Sequence, residues 1–234
     1  MNALGLILAL LLGGAQSADP AADGTRTGSR LDPATRAITN ADTSQANATM
    51  YRFMECAVAR RESRVRVLID SRSEAEFQSA YRALDDVQRC NVDAYVDNTA
   101  STIAFTADRG TTRGFLSEIF LKKKTDAFVA LTPLPIQQVY ARDWYSMTGR
   151  ARAVDEMATC VADVDPAAIA ALLHTGIGGS DQKTAIAALM PSVGQCLSKT
   201  VRLKTNPLGL RTALAEALYH RVNDAAPQPT PGAK

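Results

Sequence analysis

The sequence lacks the features by which several functional classes are recognised. It has four cysteines and two histidines in 234 residues, and no C-x-x-C pair. Neither histidine lies near a cysteine, which disfavours a zinc site and a redox-active dithiol. No G-x-S-x-G or H-E-x-x-H motif occurs, and the Gly-rich HTGIGGS stretch lacks the Lys-Ser pair of a phosphate-binding loop. The sequence therefore predicts no catalytic set, no metal and no other cofactor.

An excess of charge of one sign is also missing. The formal net charge is +2, and acids and bases are interspersed. A nucleic-acid-binding protein normally carries a basic stripe. The nearest equivalents are Arg60, Arg61, Arg64 and Arg66, followed by 122–124. A solvated helix face and cations at a helix C-terminus explain both clusters, so we expect no nucleic-acid partner.

Long apolar runs are absent apart from one at the start of the chain. The apolar stretch 3–12 is too short to span a bilayer of roughly 30 Å, and 15–17 supplies the small residues that signal peptidase reads. The sequence predicts a signal peptide over 1–17, cleaved after Ser17, and no stable membrane insertion afterwards. We expect an exported protein, in the periplasm or outside the cell.

Two segments have scarcely a large apolar side chain. The stretch 18–48 and the Pro-containing tail 223–234 bury too little apolar surface to offset their ordering entropy, and both are predicted to be disordered. Between them we place a helical unit over 49–124, a connecting segment over 125–150 and a second helical unit over 151–222. Prolines and aromatic residues in the connecting segment indicate a packed connection.

The cysteines mark an internal repeat. Alignment of Cys56 with Cys160 places apolar residues of the two halves in helical register. The matched pairs are Val65 with Ile169, Leu68 with Leu172, and Ile69 with Leu173. The second copy starts this helix with Asp165 as N-cap and Pro166, whereas the first copy has the weaker Arg61-Glu62-Ser63. A capping pattern at Ser73, with Ser180 as its counterpart, predicts the next helix in each copy.

A second repeated phrase completes each unit. TRGFLSEIFLKK, which begins at Thr112, recurs as LRTALAEALYHR, which begins at Leu210, and Asp108 and Asn206 are good N-caps before them. The spacing between copies differs in the loops while the helices keep their register. The sequence therefore predicts an all-α fold made of two homologous disulfide-stapled units, with about four helices each.

The disulfide pairing follows from the repeat. An even number of cysteines in an exported chain indicates disulfides, and four cysteines allow three pairings. The repeat selects Cys56–Cys90 and Cys160–Cys196 because each unit then closes itself. These four residues are the predicted disulfide cysteines.

The repeated phrase aligns Arg113 with Arg211 and Glu118 with Glu216. Within a copy the two charges are five residues apart, too far for the usual intrahelical pair. On an amphipathic helix Arg113 would flank the apolar stripe and Glu118 would face away from it. We expect each arginine to bind helix-end carbonyls or acids, and each glutamate to lie at the seam between units. A ligand-binding or catalytic role is the alternative.

The strongest candidate for acid–base or metal chemistry is His220. It follows Glu216 by one helical turn, so the two side chains share a helix face. The simpler interpretation is a histidine near a helix C-terminus, where the dipole favours it. His174, beside the Gly-rich turn, is predicted to belong to a helix stop signal.

The pattern MATCVADVDPAAIAALLHT, followed by a second cysteine and LRTALAEALY, resembles exported bacterial proteins with one or two tandem helical units. Those units read roughly Cys-x-x, Asp-Pro, a Leu-Leu helix, a second Cys and LRxALAEALY. The resemblance covers most of 50–222 and is clearer in the second unit. It implies an exported helical protein, and it carries over no activity and no catalytic residue.

These observations predict a non-catalytic, periplasmic binding or interaction protein of the cell envelope, with an envelope protein or a small ligand as partner. Two alternatives stay open. One is a small-molecule or metal-dependent enzyme with a site at the interface of the units, and the other is an envelope-stress chaperone with exposed helix faces. The residues of such an interface site would be Arg113, Glu118, Arg211, Glu216 and His220.

Overall fold

The described part of the chain is built from helices and contains no strand. The computed structural model describes residues 40–82, 90, 108–124, 131–198, 203 and 205–224, which belong to one compact unit. The predicted signal peptide, most of the segment 18–48 and the tail after Asp224 lie outside these residues. The helices are α1 Asn40–Asp70, α2 Glu74–Arg82, α3 Arg109–Lys123, a 3-10 helix Asp143–Met147, α4 Arg152–Val164, α5 Pro166–Leu173, α6 Ser180–Cys196 and α7 Pro207–Asn223. The predicted all-α fold is confirmed.

Three predicted N-caps start helices by the expected mechanism. The side chain of Asp108 accepts a hydrogen bond from the backbone N–H of Thr111 at 2.8 Å, and that of Asn206 does so from Gly209 at 2.7 Å. Asp165 caps α5 in the same way, and Pro166 occupies the first helical position. Each side chain satisfies one backbone N–H that the first helical turn leaves without a partner.

The start of α6 differs from the prediction. Ser73 caps α2 through a bond from the Glu76 N–H at 3.3 Å, but Ser180 is already the first residue of α6 and Gly179 is the N-cap. Gly179 has extended backbone dihedrals and offers no side-chain cap. Instead, the Gln182 side chain reaches back to accept a bond from the backbone N–H of Gly178 at 2.9 Å.

The two halves break their first helix at matched positions. Inside α1, Arg61 has φ −139° and ψ 41°, and Asp165, its counterpart in the repeat alignment, has φ −143° and ψ 57° between α4 and α5. Asp165 provides a cap and is followed by proline, so the helix is split there. Arg61 provides neither, so α1 continues across a kink. The internal repeat stays a prediction, which these matched geometries support.

The structure describes only part of the segments on either side of the predicted first unit. Helix α1 begins at Asn40, within the stretch predicted to be disordered, because a helix already nucleated by packed residues extends at little cost. The connecting segment is packed from Tyr140 to Met147, as expected, whereas the large apolar side chains described before Tyr140 are mostly exposed. Tyr140, Trp144 and Met147 are buried, and the backbone N–H of Leu134 donates to Asp163 at 2.7 Å.

Helices α3 and α7 form the centre of the core. Helix α3 packs on α1 and α7, and α7 also packs on α4 and α5. As a result α3 is buried on all its faces over residues 110–121, so the side of the helix that carries Glu118, away from the apolar stripe, is covered as well. The crossing is very close, because a Cβ added to Gly114 would lie 2.3 Å from the Cβ of Thr212.

Both predicted disulfides are present. Cys56–Cys90 and Cys160–Cys196 each join Cα atoms 5.6 Å apart. Disulfides persist in oxidising compartments, so this protein folds in a non-cytoplasmic environment. Within the described ranges, no helix combines the length and the apolar composition that crossing a bilayer requires.

Candidate functional site

The two repeated phrases meet in space and exchange their charges. Arg113 Nε donates to Glu216 Oε1 at 2.6 Å, while Arg211 donates to both carboxylate oxygens of Glu118 at 2.8 and 2.7 Å. All four side chains are 0% exposed. Because the arginine near the start of each phrase pairs with the later glutamate of the other phrase, α3 and α7 run antiparallel. We call this set the crossed ion pairs.

Each arginine of the crossed ion pairs also holds the end of a helix. Arg113 Nη1 donates to the carbonyl of Leu68 and to Ser71 Oγ, both at 3.0 Å, at the C-terminus of α1. Arg211 donates to the carbonyl and the hydroxyl of Thr175, at 2.9 and 3.0 Å, just after α5. The expectation that these arginines bind helix-end carbonyls and acids outside their own helix is confirmed.

A further cation fixes the charge of Glu216. Arg150 Nη2 donates to Glu216, and its Nε donates to Asp155 at 2.8 Å. Burial acts to raise the pKa of Glu216, but the positive charges of Arg150 and Arg113 outweigh it, so the pKa is lowered. Burial raises the pKa of Asp155. Glu216 is therefore held as a carboxylate within a dry ionic network, which a ligand reaches only by opening the core.

His220 occupies the position in its phrase that Lys122 occupies in the other. Lys122 Nζ lies 2.7 Å from Glu118, whereas His220 Nε2 lies 4.0 Å from Glu216. The His220 ring is 3% exposed, and its Nδ1 lies 3.2 Å from Asp224 Oδ2 without the alignment of a hydrogen bond. Neither ring nitrogen has a hydrogen-bond partner among the described residues.

Trp144 stacks on His220. The ring centroids are 4.5 Å apart and the planes meet at 12°. Trp144 is 2% exposed, and its indole Nε1, like the His220 nitrogens, finds no hydrogen-bond partner within the described protein. Buried polar atoms in folded proteins are almost always hydrogen-bonded, so two such rings side by side require an explanation.

A cavity of about 490 Å³ lies against these two rings, and we call it the Trp–His cavity. It forms between the connecting segment, α4 and the C-terminal part of α7. Its lining residues are Leu134, Gln137, Arg142, Trp144, Thr159, Asp163, Ala217, His220, Arg221 and Asp224. Two arginines and two aspartates are among them, so the charges of the lining are close to balanced.

The two aspartates of the cavity have opposite pKa shifts. Burial is the main cause of the raised pKa of Asp163. For Asp224, burial also acts to raise the pKa, but the His220 ring and the Arg72 guanidinium outweigh it and the pKa is lowered. Asp224 is therefore ionised over a wide pH range. The ionised form of Asp163 is stabilised by any cation placed beside it.

Local structure accounts for the other candidate residues from the sequence. His174 Nδ1 lies 2.7 Å from the carbonyl of Ala170 at the end of α5, as a stop signal would. Arg60, Arg61 and Arg64 are exposed on α1, as a solvated helix face would be. No group of three or more His, Cys, Asp or Glu side chains in the described ranges has the arrangement of a metal site.

The sequence reasoning selected His220 but missed the residues that surround it. Arg142, Trp144, Asp163 and Asp224 lie on three different elements, and no spacing in the sequence connects them. The available signal was the aromatic content of the connecting segment.

Comparison of the chain with family models, curated proteins and solved structures finds no match.

Proposed function

We propose that this protein is an exported, non-catalytic binding protein of the bacterial cell envelope, and that the Trp–His cavity holds a small polar ligand. One observation carries the proposal: Trp144 and His220 are buried in the cavity wall with unpartnered ring nitrogens. A ligand that hydrogen-bonds them would remove the cost of leaving buried polar groups unsatisfied.

The size and lining of the cavity support this role. Ligand pockets typically measure about 300–1,000 Å³ and combine apolar walls with a few placed polar groups. Leu134 and Ala217 supply apolar surface here, and the charged side chains stand at defined positions around it. The crossed ion pairs, by contrast, are fully buried between α3 and α7 and join these two helices.

Export is supported by the disulfides and by the signal-like residues 1–17. Expression of the whole chain in a Gram-negative host, followed by fractionation and N-terminal sequencing, tests it. We expect a periplasmic product that begins at Ala18, and a cytoplasmic product when 1–17 is deleted. An uncleaved product retained in the cytoplasm would contradict export.

Binding is testable through the protein's own fluorescence. Trp144 is the only tryptophan in the chain, so its emission reports on the cavity wall directly. Titration with a library of small polar metabolites is expected to give a saturable emission change. Replacing Arg142 in the lining by alanine should weaken binding about tenfold or more, since a charged hydrogen bond contributes about 1.5–3 kcal/mol.

The matched control for Arg142→Ala is Arg152→Ala. This variant removes the same kind of charge from the same part of the chain. Arg152 is exposed, pairs with Glu156 at 2.7 Å and does not line the cavity. Unchanged emission with every compound, or equal weakening in both variants, would contradict the proposal.

An enzyme is the second candidate, and the contact between His220 and Asp224 favours it. A histidine beside a carboxylate at a cavity wall is a common arrangement for proton transfer. Incubating the wild-type protein with each bound compound, followed by mass spectrometry, separates the two functions. Unchanged compound supports a binding protein, whereas conversion that is lost in His220→Gln supports an enzyme.

A further inference from the structure

One side of the Trp–His cavity offers hydrogen-bond donors with spare capacity. The indole N–H of Trp144 can only donate, and it has no acceptor in the described part of the protein; because its nitrogen is buried within the cavity wall, a ligand bonds it after a small shift of the ring. Arg142 is half-buried, and the one hydrogen bond that its side chain makes to a described residue goes to the carbonyl of its neighbour Ala141, at 2.8 Å. A guanidinium that retains further N–H groups can bind a carboxylate with two parallel bonds.

Arg221, the second arginine of the cavity, is already hydrogen-bonded to backbone carbonyls of neighbouring segments. Its Nη1 donates to the carbonyls of Ala162 and Asp163, and its Nη2 donates to that of Thr132. These bonds tie α7 to the end of α4 and to the connecting segment. Arg142 is therefore the guanidinium that is placed to meet a ligand.

The other side of the cavity offers acceptors. Among the described residues, the Asp163 carboxylate accepts a hydrogen bond from Gln137 Nε2 at 3.2 Å and lies 3.6 Å from Arg221 Nε. Asp224 contacts His220 at 3.2 Å and Arg72 at 3.7 Å, and its side chain is 37% exposed. A carboxylate has about four lone-pair sites, so both retain capacity for a ligand N–H.

This division of donors and acceptors restricts the charge of the ligand. A purely anionic ligand would be placed near Asp163 and Asp224, and a purely cationic one near Arg142 and Arg221. Either arrangement brings like charges together in a partly desolvated cavity, which is unfavourable. A molecule with both charges can direct its anion to Arg142 and Trp144 and its cation to the aspartates.

We infer that the ligand of the Trp–His cavity is a small zwitterion of amino-acid type, with a carboxylate and a protonated amine. The inference rests on the proposed function. The carboxylate accepts from the Arg142 guanidinium and the Trp144 indole N–H, and the ammonium donates to Asp224 and Asp163. The apolar surface of Leu134 and Ala217 favours an amino acid with an apolar side chain.

The test is calorimetric titration of the whole mature protein with the L-amino acids, and with two blocked forms of each. A methyl ester removes the carboxylate charge, and an N-acetyl group removes the amine charge. We expect at least one apolar amino acid, such as L-leucine, to bind, and each blocking group to weaken binding about tenfold or more. Equal binding of the free and blocked forms would overturn the inference.

Two variants assign each charge of the ligand to its partner. In Arg142→Ala, the methyl ester should weaken binding much less than it does in the wild type. N-acetylation should weaken binding of this variant as much as it does in the wild type. Asp224→Asn should do the reverse. If either variant does not fold by circular dichroism, Arg142→Gln and Asp163→Asn replace them. Penalties that no variant changes would place the ligand elsewhere and overturn the inference.

The outcome also separates this inference from the proposed function. If the amino acids do not bind but other small polar compounds bind in an Arg142-dependent manner, the zwitterion is wrong and the cavity is still a ligand site. If neither group of compounds binds, both are wrong.

Discussion

Arg211 should be more costly to remove than its counterpart Arg113. Arg211 donates two bonds to Glu118 and further bonds to Leu173, Thr175 and Gln182. Arg113 donates to Glu216 and to two acceptors at the end of α1. Replacement of Arg211 by methionine therefore leaves more buried acceptors without a donor.

The expected magnitudes follow from the burial of both pairs. Removing one partner of a buried salt bridge costs about 3–5 kcal/mol. Arg211→Met should lie near the upper value and Arg113→Met near the lower one, because Glu216 keeps the largely buried Arg150, whereas Glu118 keeps the more exposed Lys122. For a chain of this size, 1 kcal/mol corresponds to roughly 2–4 °C in Tm, so the Arg211 variant should melt roughly 10–20 °C lower.

Urea denaturation followed by circular dichroism measures these losses. Arg152→Met removes an arginine from an exposed pair with Glu156 and should leave the free energy of unfolding unchanged within error. The double variant Arg211→Met with Glu118→Met should lose less than the sum of the single variants, because the buried carboxylate is removed together with its partner. Additive losses, or a larger loss for Arg113→Met than for Arg211→Met, would refute the reasoning.

Three further predictions concern the helix crossing, the disulfides and pH. Gly114→Ala should destabilise the protein by about 2–4 kcal/mol, because the added Cβ clashes with Thr212. The control Gly194→Ala lies in open space on α6 and should stabilise the protein by about 0.5–1 kcal/mol. A Gly114→Ala variant with unchanged stability in thermal denaturation would contradict the close helix crossing. Replacing the Cys160–Cys196 disulfide by serines should cost roughly 4 kcal/mol in urea denaturation, given a sequence separation of 36, and an unchanged stability would show that the link constrains nothing. Because the pKa of Glu216 is lowered on folding, its ionised form stabilises the protein fully above its ordinary value and less as pH falls through the lowered one. The difference in unfolding free energy between wild type and Glu216→Gln should therefore narrow below about pH 4, and a constant difference would contradict this.

The helices were predictable because their signals are local. Asp108, Asp165 and Asn206 each act on a backbone N–H three residues away, so the sequence contains both partners. The same locality explains the error at Ser180, where one residue decides between a cap and a first helical position. Boundaries of this kind depend on small differences in backbone geometry.

The partners of the charged residues were predictable only in part. The five-residue spacing of Arg113 and Glu118 indicates that each binds outside its own helix. It does not indicate the antiparallel crossing of α3 and α7, which decides that Arg113 meets Glu216. The burial of α3 on every face has the same origin, since a helix sequence shows one apolar stripe and not the number of neighbours that cover it.

The Trp–His cavity was beyond the reach of sequence patterns. Arg142 and Trp144 lie in a connecting segment with no helical or strand periodicity, and they meet His220 and Asp224 only because that segment folds back on α7. The aromatic residues indicated that the segment is packed, but not which helix it packs against.

The most direct test of the ligand site is the indole N–H resonance of Trp144 in a ¹H–¹⁵N NMR spectrum. The chain contains one tryptophan, so the resonance needs no further assignment. During titration with a compound that binds by calorimetry, the resonance should move saturably, with the same dissociation constant, as Nε1 gains an acceptor. A compound that binds while this resonance stays in place would contradict the Trp–His cavity as the ligand site.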